Sequence, residues 1–265
     1  MLSTSPLLVH PLRLAGPGDH QLITDTLDTA PGWSRDRSPD GAIRYTSPCR
    51  TALITGGPAT SRPGAWTVHG YRPPGSTPLW RASFAPGTPA EITAAFTTTL
   101  VHGLRSGHRD YLRGGPHHLP TTPASVLANR GWRPDQSPPG FHDQVAPDLT
   151  AVYRHRIGHQ PPDAEAAGRT PPAWSMLAGN LRNPSWRADF TTGVPFYPLV
   201  RATLAFSSPA PVERRRCDIP AHHLPHLTAR APSEAADARP APRSRPASPV
   251  TPTATRPAPT TARRR

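Results

Sequence analysis

The chain has 265 residues, all 30 of its basic residues are arginine, and its net charge is +13. That length allows two modest domains, or one domain with a long tail. No run approaches 18 apolar residues, so no transmembrane helix is expected, and two distant cysteines, Cys49 and Cys217, argue against a disulfide framework.

A basic balance of this size is compatible with nucleic acid, acidic protein or an anionic surface. With no lysine, 39 Pro and 20 Gly, the composition also looks like GC-rich coding, so codon bias supplies part of the arginine. The charge is uneven: from Pro209 onward there are eleven arginines against four acidic residues, and before it nineteen against thirteen. The cysteine usage fits a reducing cytoplasm. The opening apolar run is broken by His10, Pro11 and Arg13 before it reaches signal length.

In chain order, Leu22, Ile23 and Leu27 fall at helical spacing after Asp19, a candidate cap, and Pro31-Gly32 stops the helix. Ser38-Pro39-Asp40-Gly41 is turn chemistry. Thr51–Thr55 and Ala65–Tyr71 read as strands, and Pro73-Pro74-Gly75 turns the chain. In the returning strand Trp80, Ala82 and Phe84 share one face, while Arg81 and Ser83 take the other. Thr88-Pro89-Ala90-Glu91 predicts a capping box with Pro at the first helical position. Ile92, Ala95, Phe96 and Leu100 then form one apolar face, expected to lie on the sheet beside Trp66 and Trp80.

The pattern then returns. GWSRDRSPDG (Gly32–Gly41) and GWRPDQSPPG (Gly131–Gly140) share six of ten positions, and WRASF (Trp80–Phe84) is answered by WRADF (Trp186–Phe190). The tryptophans fall into two sets: Trp33, Trp66 and Trp80, then Trp132, Trp174 and Trp186. Burial of so large a side chain makes all six candidate core anchors; the alternative is an exposed aromatic surface for stacking bases or sugars. The second copy is eroded. Its first helix spans about 123–129, and GVPFYP replaces the capping box, with Pro198 expected to shorten the closing helix.

The fold class expected is α+β: two tandem units, residues 9–112 and 113–212, each a small antiparallel sheet of three or four strands packed by helices. Residues 213–265 are expected to be a disordered Pro/Ala/Arg-rich tail, because they hold too little apolar surface to offset ordering entropy.

These residues resemble a known family. Gly-Trp, Ser-Pro-Asp-Gly, Ala-Trp, Trp-Arg-Ala-x-Phe and Thr-Pro-Ala-Glu-Ile, in that order, are similar to the SPDY domain, and Pro11–Asp19 is similar to the segment that precedes it. The resemblance covers roughly residues 9–212. It implies an actinobacterial protein, mainly of the streptomycete type, with two tandem copies. The family is of unknown function, so it implies no catalytic residue, cofactor or partner.

The chemistry is sparse. His222, His223 and His226 follow Cys217, but their spacing is not that of paired zinc ligands, and His155 and His159 lack the glutamate of a zinc-protease helix. Cys49 is replaced by Asp148 in the second copy. Asp36 and Asp135 are the acidic pair kept in both copies, and a shared acid/base role requires that the fold bring them together. No catalytic residue, metal or cofactor is therefore expected. Arg81 and Arg187 occupy the same strand position in both copies: either a solvated face or a basic partner surface. The function expected is a non-enzymatic binding module for a macromolecule, with protein slightly favoured and no membrane. The alternative is a nucleic-acid-binding accessory protein that uses the basic surface and the tail.

Overall fold

Alternation of buried and open side chains builds most of the strands. The computed structural model describes residues 6–39, 41–57, 64–107, 121–180 and 182–232. Strand β1 (Pro6–His10) and a 3-10 turn at Leu12–Leu14 lead into α1 (Gln21–Asp28). A meander follows, with β2 (Ser34–Arg37), β3 (Ile43–Thr46), β4 (Ala52–Gly56), β5 (Trp66–Tyr71) and β6 (Pro78–Phe84), closed by α2 (Ala90–Arg105). The next stretch holds α3 (Pro123–Ala128), β7 (Arg133–Asp135), β8 (Phe141–Val145), β9 (Ala151–Arg156), α4 (Pro162–Ala166), β10 (Trp174–Asn180), β11 (Asn183–Phe190) and α5 (Phe196–Phe206). Strands β12 (Val212–Arg215) and β13 (Thr228–Arg230) come last.

Small separate sheets of three or four strands are not what forms. All ten strands from β2 to β11 join one antiparallel sheet, in the order β2-β3-β4-β5-β6-β11-β10-β9-β8-β7. The centre is the pairing of β6 with β11, where Ala82 faces Phe190 and Phe84 faces Ala188. The fifth strand of each meander is a short edge strand, β2 or β7, whose side chains are all exposed. Such strands carry no apolar alternation, so sequence periodicity does not reveal them. The expected boundary at 112/113 lies outside the described residues.

The apolar sides of the helices explain why the halves merge. Helix α2 packs against both α1 and α5, and α5 against α3, on one face of the sheet. Phe96 of α2 meets Trp80, Phe84 and Phe190 at ring separations of 6.4, 5.7 and 5.8 Å. Phe84 meets Phe190 edge-on at 5.6 Å across the central pair. One continuous core, shared by both meanders, thus runs from Leu12 to Phe206. No helix of the described residues is long and apolar enough to cross a membrane.

The helix ends show where capping succeeds and fails. At α2 the capping box is not made: Thr88 Oγ1 donates to the Ala85 carbonyl, and Glu91 accepts from Arg214 Nη2 at 2.7 Å. The Thr88 N–H that a box would give to Glu91 already donates to the Ala85 carbonyl at 3.1 Å, which leaves the carboxylate to the guanidinium. At α3 a box does form, reciprocally between Thr122 and Ser125. Helix α5 is shorter than α2, eleven residues against sixteen, but Pro198 is accommodated in its first turn, where the missing N–H has no helical acceptor. Asp19 does serve α1, accepting from the Gln21 N–H at 2.8 Å.

The disorder expected from residue 213 is corrected as far as residue 232. Strand β12 pairs antiparallel with one edge of β1 and β13 with the other, giving a three-stranded sheet β12-β1-β13. Neither added strand has a core of its own. They borrow one: Val9, Ala15 and Ile219 are buried together, with Leu7, Leu224 and Leu227 against them. Residues 233–265 lie outside the described residues.

Candidate binding face and cleft

Because Trp80, Ala82 and Phe84 point at the helices, Arg81 and Ser83 point the other way, as the alternation predicts. The sheet register extends that second face across every strand. Asp36, Arg44, Thr55, Thr67, Ser83, Asp189, Ser175, Arg154, Asp143 and Asp135 are successive cross-strand partners, from β2 to β7. Every position in this row is polar. Asp36 and Asp135 stand at its two ends, nine strand spacings or roughly 43 Å apart. They cannot act as an acid/base pair.

Arg81 and Arg187 flank the row's centre, two residues before Ser83 and Asp189 in antiparallel strands. Both line one cleft of about 600 Å³, formed where α4 and the loop after it lie over β6. Arg154, Glu165, Ser175 and Asp189 line it too. Arg154 donates to Asp143 through two bonds, of 2.9 and 2.6 Å, which hold its guanidinium pKa above the ordinary value. Arg187 Nε donates to Asp189 Oδ1 at 2.6 Å, and its Nη2 to Ser175 Oγ at 3.2 Å. Ser175 Oγ in turn donates to Asp189 Oδ1 at 2.6 Å.

Arg81 is different. Its backbone N–H donates to Thr191 Oγ1, but among the described residues its half-buried guanidinium has no hydrogen-bond or ion-pair partner. It lies beside Gly168, where a Cβ would come within 3.5 Å of Nη2. Its strand neighbour His69 is held below the usual imidazole pKa, first by burial and then by the Arg81 charge.

Four tryptophans, Trp66, Trp80, Trp132 and Trp186, are buried in the helix-side core. Trp66 Nε1 donates to His20 Nδ1 and Trp186 Nε1 to the Arg13 carbonyl. Trp33 and Trp174 are partly buried against the same core, Trp174 stacking on His155 at 5.7 Å. The four buried rings offer no face to a base or sugar.

The histidine cluster ties chain segments together. His223 is buried, its Nδ1 donating to the Leu14 carbonyl at 2.8 Å, which leaves Nε2 of the neutral ring to accept from Ser185 Oγ at 2.8 Å. Burial lowers its pKa, favouring that neutral ring. His222 Nε2 lies 2.8 Å from the same hydroxyl. Among the described residues no group of three or more His, Cys, Asp or Glu is placed to hold a metal ion. Cys49 and Cys217 are exposed free thiols. Asp148, the counterpart of Cys49, pairs with the buried guanidinium of Arg13.

Sequence reasoning found Arg81 and Arg187 but missed Arg154, Glu165, Ser175 and Asp189. Sheet register brings Arg154, Ser175 and Asp189 to the cleft, and the fold-back of α4 brings Glu165; the Ser/Asp difference between WRASF and WRADF was the visible trace of one. No curated protein and no solved structure matches the chain. Residues 46–104, from the end of β3 through most of α2, match the family model SPDY, Domain of unknown function (DUF317).

Proposed function

We propose that this protein is a non-enzymatic binding module that docks a protein partner on the polar face of its sheet, opposite α1, α2, α3 and α5. The observation that carries the reading is the polar row with its adjoining cleft. Arg154 and Arg187 already have carboxylate partners there. A face of alternating charge suits a protein surface, whereas a phosphate track is built from unneutralised cations. We read the chain as two tandem SPDY-type copies of the actinobacterial kind. In support, Trp66 and Trp174 open equivalent strands, and Trp80 and Trp186 lie in the two strands that meet at the centre. The exposed thiols of Cys49 and Cys217 fit a reducing cytoplasm.

The test is affinity capture from the native cell with the full chain, beside Arg81→Glu and Arg187→Glu. A specific partner retained by the parent chain and lost from both charge-reversed chains supports the reading. Capture that is identical for all three sinks it.

A nucleic-acid role rests on a separate observation, the eleven arginines from Pro209 onward. It calls for labelled duplex DNA across a salt series, with the full chain and a chain ended at Pro232. If only the full chain binds, the terminal segment acts as a polycation and the sheet face needs another partner.

A further inference from the structure

We propose that the cleft beneath α4 is a carboxylate pocket. In it, Arg81 holds one carboxylate of a partner's extended segment, and the oxygens of Glu165 and Thr170 take N–H groups of that segment. This deepens the docking reading and rests on it.

Charge bookkeeping around the cleft leaves one cation over. Arg154 pairs with Asp143, Arg187 with Asp189, Arg169 with Asp163 at 3.2 Å, and Arg156 with Glu165 at 3.3 Å. Arg81 alone among these five arginines lacks a carboxylate. The surplus is a single positive charge, which matches a carboxylate; a phosphate dianion would meet Asp189 and Glu165 with its second charge uncompensated.

The second observation is independent of Arg81. The Glu165 side chain is fully buried and lines the cleft, yet neither of its oxygens has a hydrogen bond. Arg156 is close enough to neutralise it but lies off hydrogen-bonding geometry. Thr170 Oγ1, on the same wall, is also buried without a partner. Buried polar groups in folded proteins nearly always find partners, so these acceptors mark where a ligand's donors belong. An acidic peptide brings both kinds of group: a carboxylate for the free guanidinium and backbone N–H groups for the free acceptors. At about 600 Å³ the cleft is in the range that encloses a ligand of that size.

The experiment is NMR titration of the arginine Nε–H resonances in the full chain, with Arg81 assigned through Arg81→Gln. The probes are acetyl-Ala-Glu-Ala-amide, acetyl-Ala-Ala-Ala with a free C-terminal carboxylate, acetyl-Ala-Gln-Ala-amide and inorganic phosphate. The expected result is a saturable shift of Arg81 with one or both carboxylate probes, weakened at least tenfold in Arg81→Gln. Binding of the first probe alone assigns an acidic side chain; binding of the second alone assigns a chain terminus. If Arg81→Gln loses its fold by circular dichroism, Arg81→Lys takes its place, with weakening expected because the fork is lost while the charge stays. Equal binding of the Gln peptide, tighter binding of phosphate, unchanged binding by the Arg81 variant, or no binding by any probe overturns the pocket. If the pocket fails while Arg187→Glu still loses its captured partner, the docking face stands.

Discussion

Ser83 and Asp189 are the one mismatch between WRASF and WRADF, and they face each other across the central strand pair. The difference has a physical reason. Identical residues there would put two carboxylates, or two hydroxyls, side by side on the same face. With Ser83 opposite, the Asp189 carboxylate is left to accept from Arg187 and Ser175.

Ser83→Asp should therefore destabilise the protein by about 1 kcal/mol, because like charges directly opposite repel. Urea unfolding at low salt measures it, and the deficit should shrink at high salt as the charges are screened. An unchanged midpoint at low salt would remove the electrostatic account of the central pair.

The shared core predicts cooperative unfolding. Phe96→Ala removes a fully buried ring that touches both meanders and should cost about 3–5 kcal/mol. Tryptophan fluorescence and far-ultraviolet dichroism should lose their signals together in both parent and variant. Two separated transitions in the parent chain would show that the meanders unfold independently.

Asp148 supplies a pH signature. Burial pushes its carboxyl pKa up, but hydrogen bonding to Arg13, the charge of Arg13 and Thr150 more than reverse this, so it lies below its ordinary 3.8. The unfolded chain therefore binds this proton more readily than the folded one. The pair's stabilisation is complete above that ordinary value and fades as pH falls through the lower folded one. Asp148→Asn should cost about 1–2 kcal/mol at neutral pH, discounted because the carboxylate is partly exposed. Urea midpoints of the two chains should converge as pH falls below the ordinary carboxylate value and through the lower folded one. A constant gap down to pH 2 would contradict this.

The three-stranded sheet predicts two different truncations. Ending the chain at Pro232 should leave stability within about 0.5 kcal/mol, the usual range for changes away from packed features. Ending it at Pro209 removes β12, β13 and the Arg214 partner of Glu91 and uncovers Val9. That should cost at least about 2 kcal/mol from lost apolar burial alone. Thermal denaturation of the two chains decides it; equal melting temperatures would mean the added strands contribute nothing.

Much of this architecture was legible in the sequence, for local reasons. The faces of the Trp80–Phe84 strand follow from period-two alternation, and the apolar face of α2 from period-three-and-four spacing. What stayed hidden depends on partners distant in the chain. Glu91 looked like a cap because Arg214 is 123 residues away. Residues 213–230 looked disordered because their apolar partners, Leu7, Val9 and Ala15, lie at the other end of the chain. Glu165 gave no local signal at all, since its position over β6 is set by how α4 folds back onto the sheet.

The margins of the large sheet have one more consequence. Strands β2 and β7 are its only unpaired flanks among the described residues, and each offers an incoming chain a poor template. The first presents Arg35, Asp36 and Arg37, all exposed; the second is three residues long, with Pro134 at its middle. Proline has no N–H to lend, and a short charged ribbon resists being lengthened by a neighbour. The sheet is therefore protected at both ends from growing into a fibre, molecule by molecule.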